Sequence, residues 1–337
     1  MTRSLRGTAA ALLVLAAGAT LLAQTTLIKL GTMAPDRSLW HQAIQQMGSE
    51  WRKATGGRVS LTVFAGTMGD EPTIVRKMRL NQLQAASVTA VGLATIDEAF
   101  NVFGIPLFFA SDAELTHVID KLTPVLKARL EEKGFVLLGW GHAGWVRIFS
   151  KRAIETLDDL KRAKIYLTAG DETTRQWYIR NGFSPVALAP TDMLTSLQTG
   201  MIDTIPATPL AALAFQWYQQ TPYMLDLELG PLVGATIVTK RAWEQIAEGD
   251  RAALLAQAAR LDQRLRSEVP RQDDQSIAEM EKRGLKVIRV AGTPKEATFR
   301  DKALEYARAM RGGIVPADVF DLALKERDAY RAANGKS

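Results

Sequence analysis

The pattern of apolar and polar positions from Ser150 to Pro209 predicts a helix, a strand, a helix, a strand, a helix and a strand in turn. Thr156 is suited to cap the first helix, and two aspartates follow it in the first turn, where they favour the helix dipole. Gly182 and Gly200 stand where two helices should end, because glycine readily adopts the left-handed conformation of a helix terminus. This alternation indicates an α/β layer with crossover connections.

The N-terminal part of the chain shows a second α/β unit. Apolar residues recur there at helical spacing in some stretches and alternate in others, and glycine or proline separates the stretches. The predicted elements are a strand at Thr26–Met33, a helix from Ser38, a strand at Val59–Phe64, a helix from Glu71 or Pro72 and a strand at Ala85–Val91.

The remaining elements include an unusually long helix. Its pattern runs over residues 250–283, and Pro270 should kink it because proline lacks an N–H donor and crowds the preceding turn. The other predicted elements are strands at Leu137–Gly141, Val146–Phe149 and Val287–Val290 and a helix from Thr293 or Pro294.

The first 23 residues resemble a secretory signal that is removed on export. Arg3 and Arg6 give a positive start, Ala9–Ala19 is apolar or small, and Ala23 offers a small residue for cleavage. The apolar run is shorter than the roughly 20 residues that cross a bilayer, although an uncleaved membrane anchor is the alternative. The chain has no cysteine, which removes lipid attachment through cysteine, disulfides and thiolate chemistry.

The charge is modest and scattered. The formal net charge of the full chain is +6, and loss of the two signal arginines leaves about +4. Nucleic-acid binding is disfavoured, because it normally requires a clustered basic stripe. No later apolar run is long enough to span a membrane, and the chain is long enough for two domains.

Four stretches together resemble the solute receptors of tripartite ATP-independent periplasmic (TRAP) transporters, in the DctP-like family. They are Phe64–Glu71, Leu157–Lys161, Lys164-Ile165 and Ser196–Asp203. The resemblance covers nearly the whole mature chain. It implies a periplasmic receptor with a two-lobed α/β fold of mixed sheets flanked by helices, with one long helix that spans both lobes.

The resemblance also implies the domain organisation and the partners. After the signal at 1–23, we expect lobe I at 24–145 plus about 233–268, lobe II at 146–232 plus about 269–310, and a C-terminal helical segment at 311–337. The partners would be a small-molecule ligand and the integral-membrane subunits of the transporter. The stretch from Gly69 to Ala86 resembles a branch paired with a tetratricopeptide-repeat periplasmic protein and thought to handle hydrophobic ligands.

An enzymatic function has little support in the sequence. The three histidines, His41, His117 and His142, do not occur in metal-binding spacing, and no nucleophile elbow or phosphate-binding loop is present. We therefore predict no catalysis, no cofactor and no metal. The alternatives from other classes are a periplasmic enzyme that uses His142, at the predicted lobe junction, and a scaffold with a closed, empty cleft.

The positions that read ligand charge in the family differ here. The family commonly ends one strand with an arginine that pairs with the ligand carboxylate, and Tyr166 stands at that position. A second family arginine falls on Val146, whereas the neighbouring Arg147 should face the other way. Because an unpaired buried carboxylate is costly, the sequence predicts a neutral or largely apolar ligand. The alternative is a small carboxylate whose cation comes from Arg147 or Arg175.

The predicted ligand-binding residues come from helix starts, aromatic residues and family positions. Trp145 and Tyr166 map to ligand-reading positions of the family, and core packing is the alternative role for these two as well as for the other aromatics. The full set is Trp40, Glu71, Phe108, Trp145, Tyr166 and Thr208.

Overall fold

The computed structural model describes residues 25–34, 36–169 and 172–335. The predicted signal lies outside these residues. Within them, no helix combines the length and apolarity needed to cross a membrane. The α/β prediction is confirmed: helices flank a single mixed sheet on both faces.

The strands of the described residues form one sheet in the order β2-β1-β3-β8-β4-β7-β5-β6, with β9 beside β8. They are β1 (Thr26–Thr32), β2 (Val59–Ala65), β3 (Ala85–Thr89), β4 (Phe135–Ser150), β5 (Lys164–Thr168), β6 (Ser184–Leu188), β7 (Thr204–Ala207), β8 (Tyr223–Thr239) and β9 (Lys286–Ile288).

Capping residues read from the sequence explain several helix boundaries. Thr156 and Asp159 form a reciprocal capping box, and Gly200, with a φ of 74°, ends a helix in the left-handed conformation. The helices are α1 (Leu39–Ala54), α2 (Glu71–Arg79), α3 (Ala90–Ala94), α4 (Asp112–Glu132), α5 (Leu157–Arg162), α6 (Glu172–Arg180), α7 (Met193–Thr199), α8 (Pro209–Ala214), α9 (Lys240–Glu244), α10 (Glu248–Lys282), α11 (Pro294–Met310) and α12 (Ala317–Ala333).

The two strands predicted at 137–141 and 146–149 are one strand, β4, and this corrects the sequence prediction. β4 stays paired with the long antiparallel strand β8 from Phe135 to Ser150, and a register shift between His142 and Trp145 accommodates the glycine-rich segment. A bulge of this kind bends a strand without ending it. For the same reason the structure contains one continuous sheet instead of separate sheets.

The sheet narrows to two strands at its middle. β3 pairs with β8 only over residues 234–238, and β7 pairs with β4 only over residues 147–150. Between these segments, β4 and β8 pair only with each other: His142 lies opposite Val233, and Trp145 lies opposite Pro231. We call this stretch, residues 141–146 of β4 and 230–234 of β8, the strand crossing.

The predicted long helix is present as α10, which continues through Pro270. Leu254 and Leu265 pack in a core with α1 and the first half of β4, whereas Met280 packs in a core with β7 and the β9 region. The helix therefore joins the apolar cores on the two sides of the strand crossing. This arrangement agrees with the two-lobed fold implied by the resemblance.

The C-terminal helix α12 is fastened to α4 by a buried ion pair. The Glu114 side chain is 1% exposed and accepts two hydrogen bonds from the Arg331 guanidinium, at 2.8 and 2.9 Å. Arg331 also donates to the backbone oxygen of Phe108. These contacts attach the end of the described chain to the first lobe.

We expect Arg331→Met to lower the free energy of unfolding by about 3–5 kcal/mol, because it leaves the Glu114 carboxylate buried without its partner. Urea denaturation measures the change. The double variant with Glu114→Gln should recover part of the loss. Arg311→Met removes an exposed pair with Asp321 and serves as the matched control, with little change expected. Equal effects of the two single arginine variants would contradict this account.

Candidate functional site

A cleft of about 180 Å³ opens beside the strand crossing, between the N-terminal helix starts and α8. Its walls are mostly apolar. The lining residues are Met33, Ala34, Ser38, Trp40, Glu71, Ser87, Val88 and Thr89 on one side, Thr208, Leu210, Ala211, Ala214 and Phe215 on the other, and Ala143, Leu232 and Gly234 from the strand crossing.

Helix starts form much of the polar edge of the cleft. Ser38, Thr89 and Thr208 are the N-caps of α1, α3 and α8, and each side-chain oxygen accepts a backbone N–H from its own helix. Glu71 is the first residue of α2, whose N-cap is Asp70. The cleft is therefore surrounded by the positive ends of helices, although no cationic side chain is among its described lining residues.

Trp40 is held in place by a glycine on the strand crossing. A Cβ at Gly141 would overlap the six-membered ring of the Trp40 indole, so only glycine allows the ring to lie against β4. The start of α1 is thereby packed against the strand that joins the two halves of the sheet. Because Trp40 also lines the cleft, this contact places an aromatic wall at the base of the site.

The Glu71 carboxyl group is hydrogen-bonded within the protein by two backbone N–H groups and one hydroxyl group. Its Oε1 accepts a hydrogen bond from the Thr89 N–H at 2.8 Å, and its Oε2 accepts from the Thr89 hydroxyl at 2.6 Å and from the Gly92 N–H at 2.9 Å. Burial raises the pKa of Glu71 despite these hydrogen bonds. Glu71 thus ties α2 to the start of α3 and shapes the cleft wall.

The structure brings three of the six predicted ligand-binding residues together at this cleft: Trp40, Glu71 and Thr208. It places the other three, Phe108, Trp145 and Tyr166, away from the cleft lining. Phe108 packs edge-on against Phe109 in the core near α12.

Trp145 and Tyr166 are both buried in packing roles. The Trp145 indole N–H donates to Asp112 at 2.8 Å, and its ring meets His142 edge-on. The Tyr166 side chain is packed in the lobe II core with its hydroxyl 3.3 Å from the Thr168 hydroxyl, and burial raises its pKa. In this structure their positions are explained by core packing, which the sequence analysis held as the competing role of aromatic residues.

The two arginines considered as carboxylate partners are already paired. Arg147 is buried and donates to Asp226 at 3.2 Å and to Glu228 at 2.8 Å. Arg175 pairs with Glu172 on α6. Neither arginine is among the residues that line the cleft.

His142 is buried beside Asp112. Its Nδ1 lies 3.6 Å from Asp112 Oδ1, and burial lowers its pKa. Its Nε2 is buried and has no hydrogen-bond partner among the described residues. Across the same described part of the chain, no cluster of His, Asp and Glu could hold a metal ion.

Several cleft residues were not predicted from the sequence, among them Ser38, Ser87, Leu210 and Phe215. Ser38 had a usable signal, because it is an N-cap next to the predicted Trp40. Phe215 precedes Gln216, whose φ of 58° turns the chain sharply after α8, and that turn cannot be recognised from residue types alone.

Comparisons with known proteins agree with this fold. Residues 30–311 match the model of the family described as bacterial extracellular solute-binding protein, family 7, also called DctP. The chain is 24% identical over 286 residues to the solute-binding protein RD1_1052 of Roseobacter denitrificans, which covers 84% of this chain and 87% of that protein. It spans only 50% and 64% of the length of two other curated relatives.

Two solved structures are similar over almost their whole length. DctP7 of Bordetella pertussis, a solute receptor that binds pyroglutamic acid, has a TM-score of 0.82 at 20% identity and covers 90% of this chain and 100% of its own. A TRAP periplasmic solute-binding protein of Haemophilus influenzae with bound L-gulonate has a TM-score of 0.83 at 17% identity and covers 90% and 99%. At 20% and 17% sequence identity, these similarities establish the fold alone.

The raised pKa of Glu71 gives a testable pH dependence. A carboxyl group with a raised pKa contributes stability that is fully present below its unfolded pKa and is lost as pH rises through its folded pKa. As the pH rises above the ordinary carboxyl range, the wild type should therefore lose stability relative to Glu71→Gln. Urea unfolding at several pH values measures this, with the exposed Glu248→Gln as control; a difference between wild type and Glu71→Gln that is constant with pH would refute it.

Proposed function

This chain belongs to family 7 of the bacterial extracellular solute-binding proteins, the DctP family, and from this we propose that it captures a small organic ligand in the cleft beside the strand crossing. Proteins of this family are receptors of TRAP transporters and act outside the cytoplasm; they are binding proteins and not enzymes. The observation that carries the proposed location is the cleft itself, which is lined from both sides of the crossing. The ligand would then pass to the membrane subunits of the transporter.

The proposed ligand is a small organic carboxylate with an apolar body. The two solved relatives hold pyroglutamic acid and L-gulonate, both carboxylates, and this favours the carboxylate alternative over the neutral or apolar ligand predicted from the sequence. The walls of the cleft would contact the apolar part of the ligand. Each 100 Å² of apolar surface buried there contributes about 2.5 kcal/mol before ordering costs.

The carboxylate would be held without a cationic side chain. Helix α1 has 16 residues and begins at the cleft, where Ser38 caps it and its positive end favours an anion. The hydroxyl groups of Ser87 and Thr208 offer further neutral donors. A hydrogen bond to a charged group contributes about 1.5–3 kcal/mol, so two or three such donors offset much of the desolvation of one carboxylate.

The second candidate is the neutral or largely apolar ligand of the sequence analysis. A specific observation favours it: Glu71 is the one ionisable residue among the described residues that line the cleft, and its carboxylate is already bound by three donors. A cleft of this composition places no strong opposite charge near an anion. The pairing with a tetratricopeptide-repeat protein belongs to this second candidate.

Calorimetry separates the two candidates. We expect pyroglutamate or a related small carboxylate to bind at least tenfold more tightly than its uncharged amide, because only the acid uses the donors at the helix starts. Phe215→Ala should weaken binding by roughly tenfold through lost apolar contact. Leu304→Ala, a similarly exposed apolar residue on α11, is the matched control. Tighter binding of uncharged or lipid-like compounds would favour the second candidate.

The domain organisation expected from the sequence remains part of this proposal. Lobe I would comprise residues 24–145 plus about 233–268, and lobe II residues 146–232 plus about 269–310. The two-strand stretch of the sheet supports crossings near Trp145–Val146 and Leu232–Gly234, because few backbone hydrogen bonds resist bending there.

Ligand binding should therefore close the lobes. Small-angle X-ray scattering with and without a saturating carboxylate found by calorimetry should show a smaller radius of gyration in the bound protein. Phe215→Ala at the same concentration, where the cleft is partly empty, should give an intermediate value. Identical profiles at proven saturation would contradict hinge closure.

A further inference from the structure

A buried carboxylate from α10 reaches the strand crossing. Asp273 is 4% exposed, and its Oδ2 accepts a hydrogen bond from the Trp145 backbone N–H at 3.0 Å. Its Oδ1 is buried and has no hydrogen-bond partner among the residues that the structure describes. This side chain fastens the helix that joins the two cores to the strand segment where the sheet is narrowest.

A glycine makes this approach possible. Gly144 has a φ of +96°, and a Cβ at this position would overlap the Asp273 carboxylate. An ordinary side chain at this position would strain the backbone and force the Asp273 carboxylate out of its place at the crossing. Gly144 lies in the bulged part of β4 between His142 and Trp145, where the register with β8 shifts. The bulge and the carboxylate therefore form one local structure.

The charges around Asp273 come from several elements. β4 contributes Arg147, β8 contributes Asp226 and Glu228, and α10 itself contributes the exposed Asp274. On the α4 side, Asp112 contacts Trp145 and His142, and the nearby Arg266 pairs with Asp262. The backbone of Leu210 in α8, a cleft residue, also lies beside the carboxylate.

Burial dominates this balance and raises the pKa of Asp273 to about 6, although the Trp145 N–H, Arg147 and the Leu210 backbone act in the opposite direction. Near pH 6, the Asp273 carboxyl group is therefore partly protonated when it is buried in the crossing but would be ionised if it were exposed to water. Ionisation favours any arrangement in which the carboxylate is hydrated.

We propose that Asp273 is a positioning residue that latches α10 to the strand crossing at Gly144–Trp145 and so sets the orientation of the two lobes before ligand arrives. The latched arrangement is the one described above. Release moves α10 away from Gly144 and admits water to the carboxylate. The latch rests on the proposed division into two lobes, but it requires no particular ligand.

The direction of the effect follows from the carboxylate. At pH 5 the protonated side chain stays in the crossing, whereas at pH 8 its ionisation favours the released arrangement. With a pKa of about 6 in the latch and the ordinary value of 3.8 after release, the ratio of released to latched molecules rises about 100-fold between full protonation and full ionisation. About tenfold of this rise falls between pH 5 and pH 8.

Pulsed electron paramagnetic resonance can measure this in the ligand-free protein. The chain has no cysteine, so Lys127→Cys on α4 and Gln198→Cys on α7 give one exposed spin label on each side of the crossing. We expect the interlabel distance distribution of the otherwise wild-type chain to shift between pH 5 and pH 8, with a midpoint near pH 6.

Three variants make the test specific. Asp273→Asn keeps the shape without the charge and should give the pH 5 distribution at both pH values. Gly144→Ala should give the released distribution at both, and Asp274→Asn, one residue along the helix, should behave as wild type. A wild-type distribution that does not change with pH, or an Asp273→Asn variant that shifts like the wild type, would overturn the latch. Neither result affects the scattering test of ligand-driven closure.

Discussion

The long antiparallel pairing of β4 with β8 is the constraint on which the rest of the molecule depends. Both strands extend through the two halves of the sheet, whereas each of the other described strands belongs to one half only. The parallel units on either side can therefore pack as separate cores while the backbone hydrogen bonds remain continuous through the middle. The cleft lies at the only part of the described sheet that is two strands wide, so the proposed ligand site and the proposed hinge coincide.

The proposed carboxylate site would attract an anion without offering it an arginine. Arg147 is paired with Asp226 and Glu228, and Tyr166 is packed in the apolar core that contains β7. What remains at the cleft is the backbone: helix starts whose N–H groups are partly capped by hydroxyl side chains. Such a site attracts an anion less strongly than an arginine would. Its donors are already held in place by the helices, however, so little conformational freedom is lost when a ligand binds.

Local signals in the sequence predicted the elements well, and long-range arrangement explains what they missed. Thr156, Gly200 and the helix around Pro270 were predicted correctly because caps and helical periodicity act over a few residues. The glycine-rich segment at 141–144 was predicted to separate two strands, because no local pattern in the sequence shows that β8 continues to pair with β4 across the bulge. Two of the predicted site residues that lie away from the cleft, Trp145 and Tyr166, are in strands, where the face that a side chain takes is decided by pairing with distant strands.

The order of the chain also affects how the protein can be exported. The first lobe is built from β1, β2 and β3, yet its sheet is completed by the second half of β8, and its surface is closed by α12 through the Arg331–Glu114 pair. Residues separated by more than 200 positions must therefore meet before that lobe is stable, and loops of this length close slowly. A chain that emerges N-terminus first thus stays without a finished core until nearly its last helix is available. If the chain is exported unfolded, this order of assembly places completion of the core on the far side of the membrane.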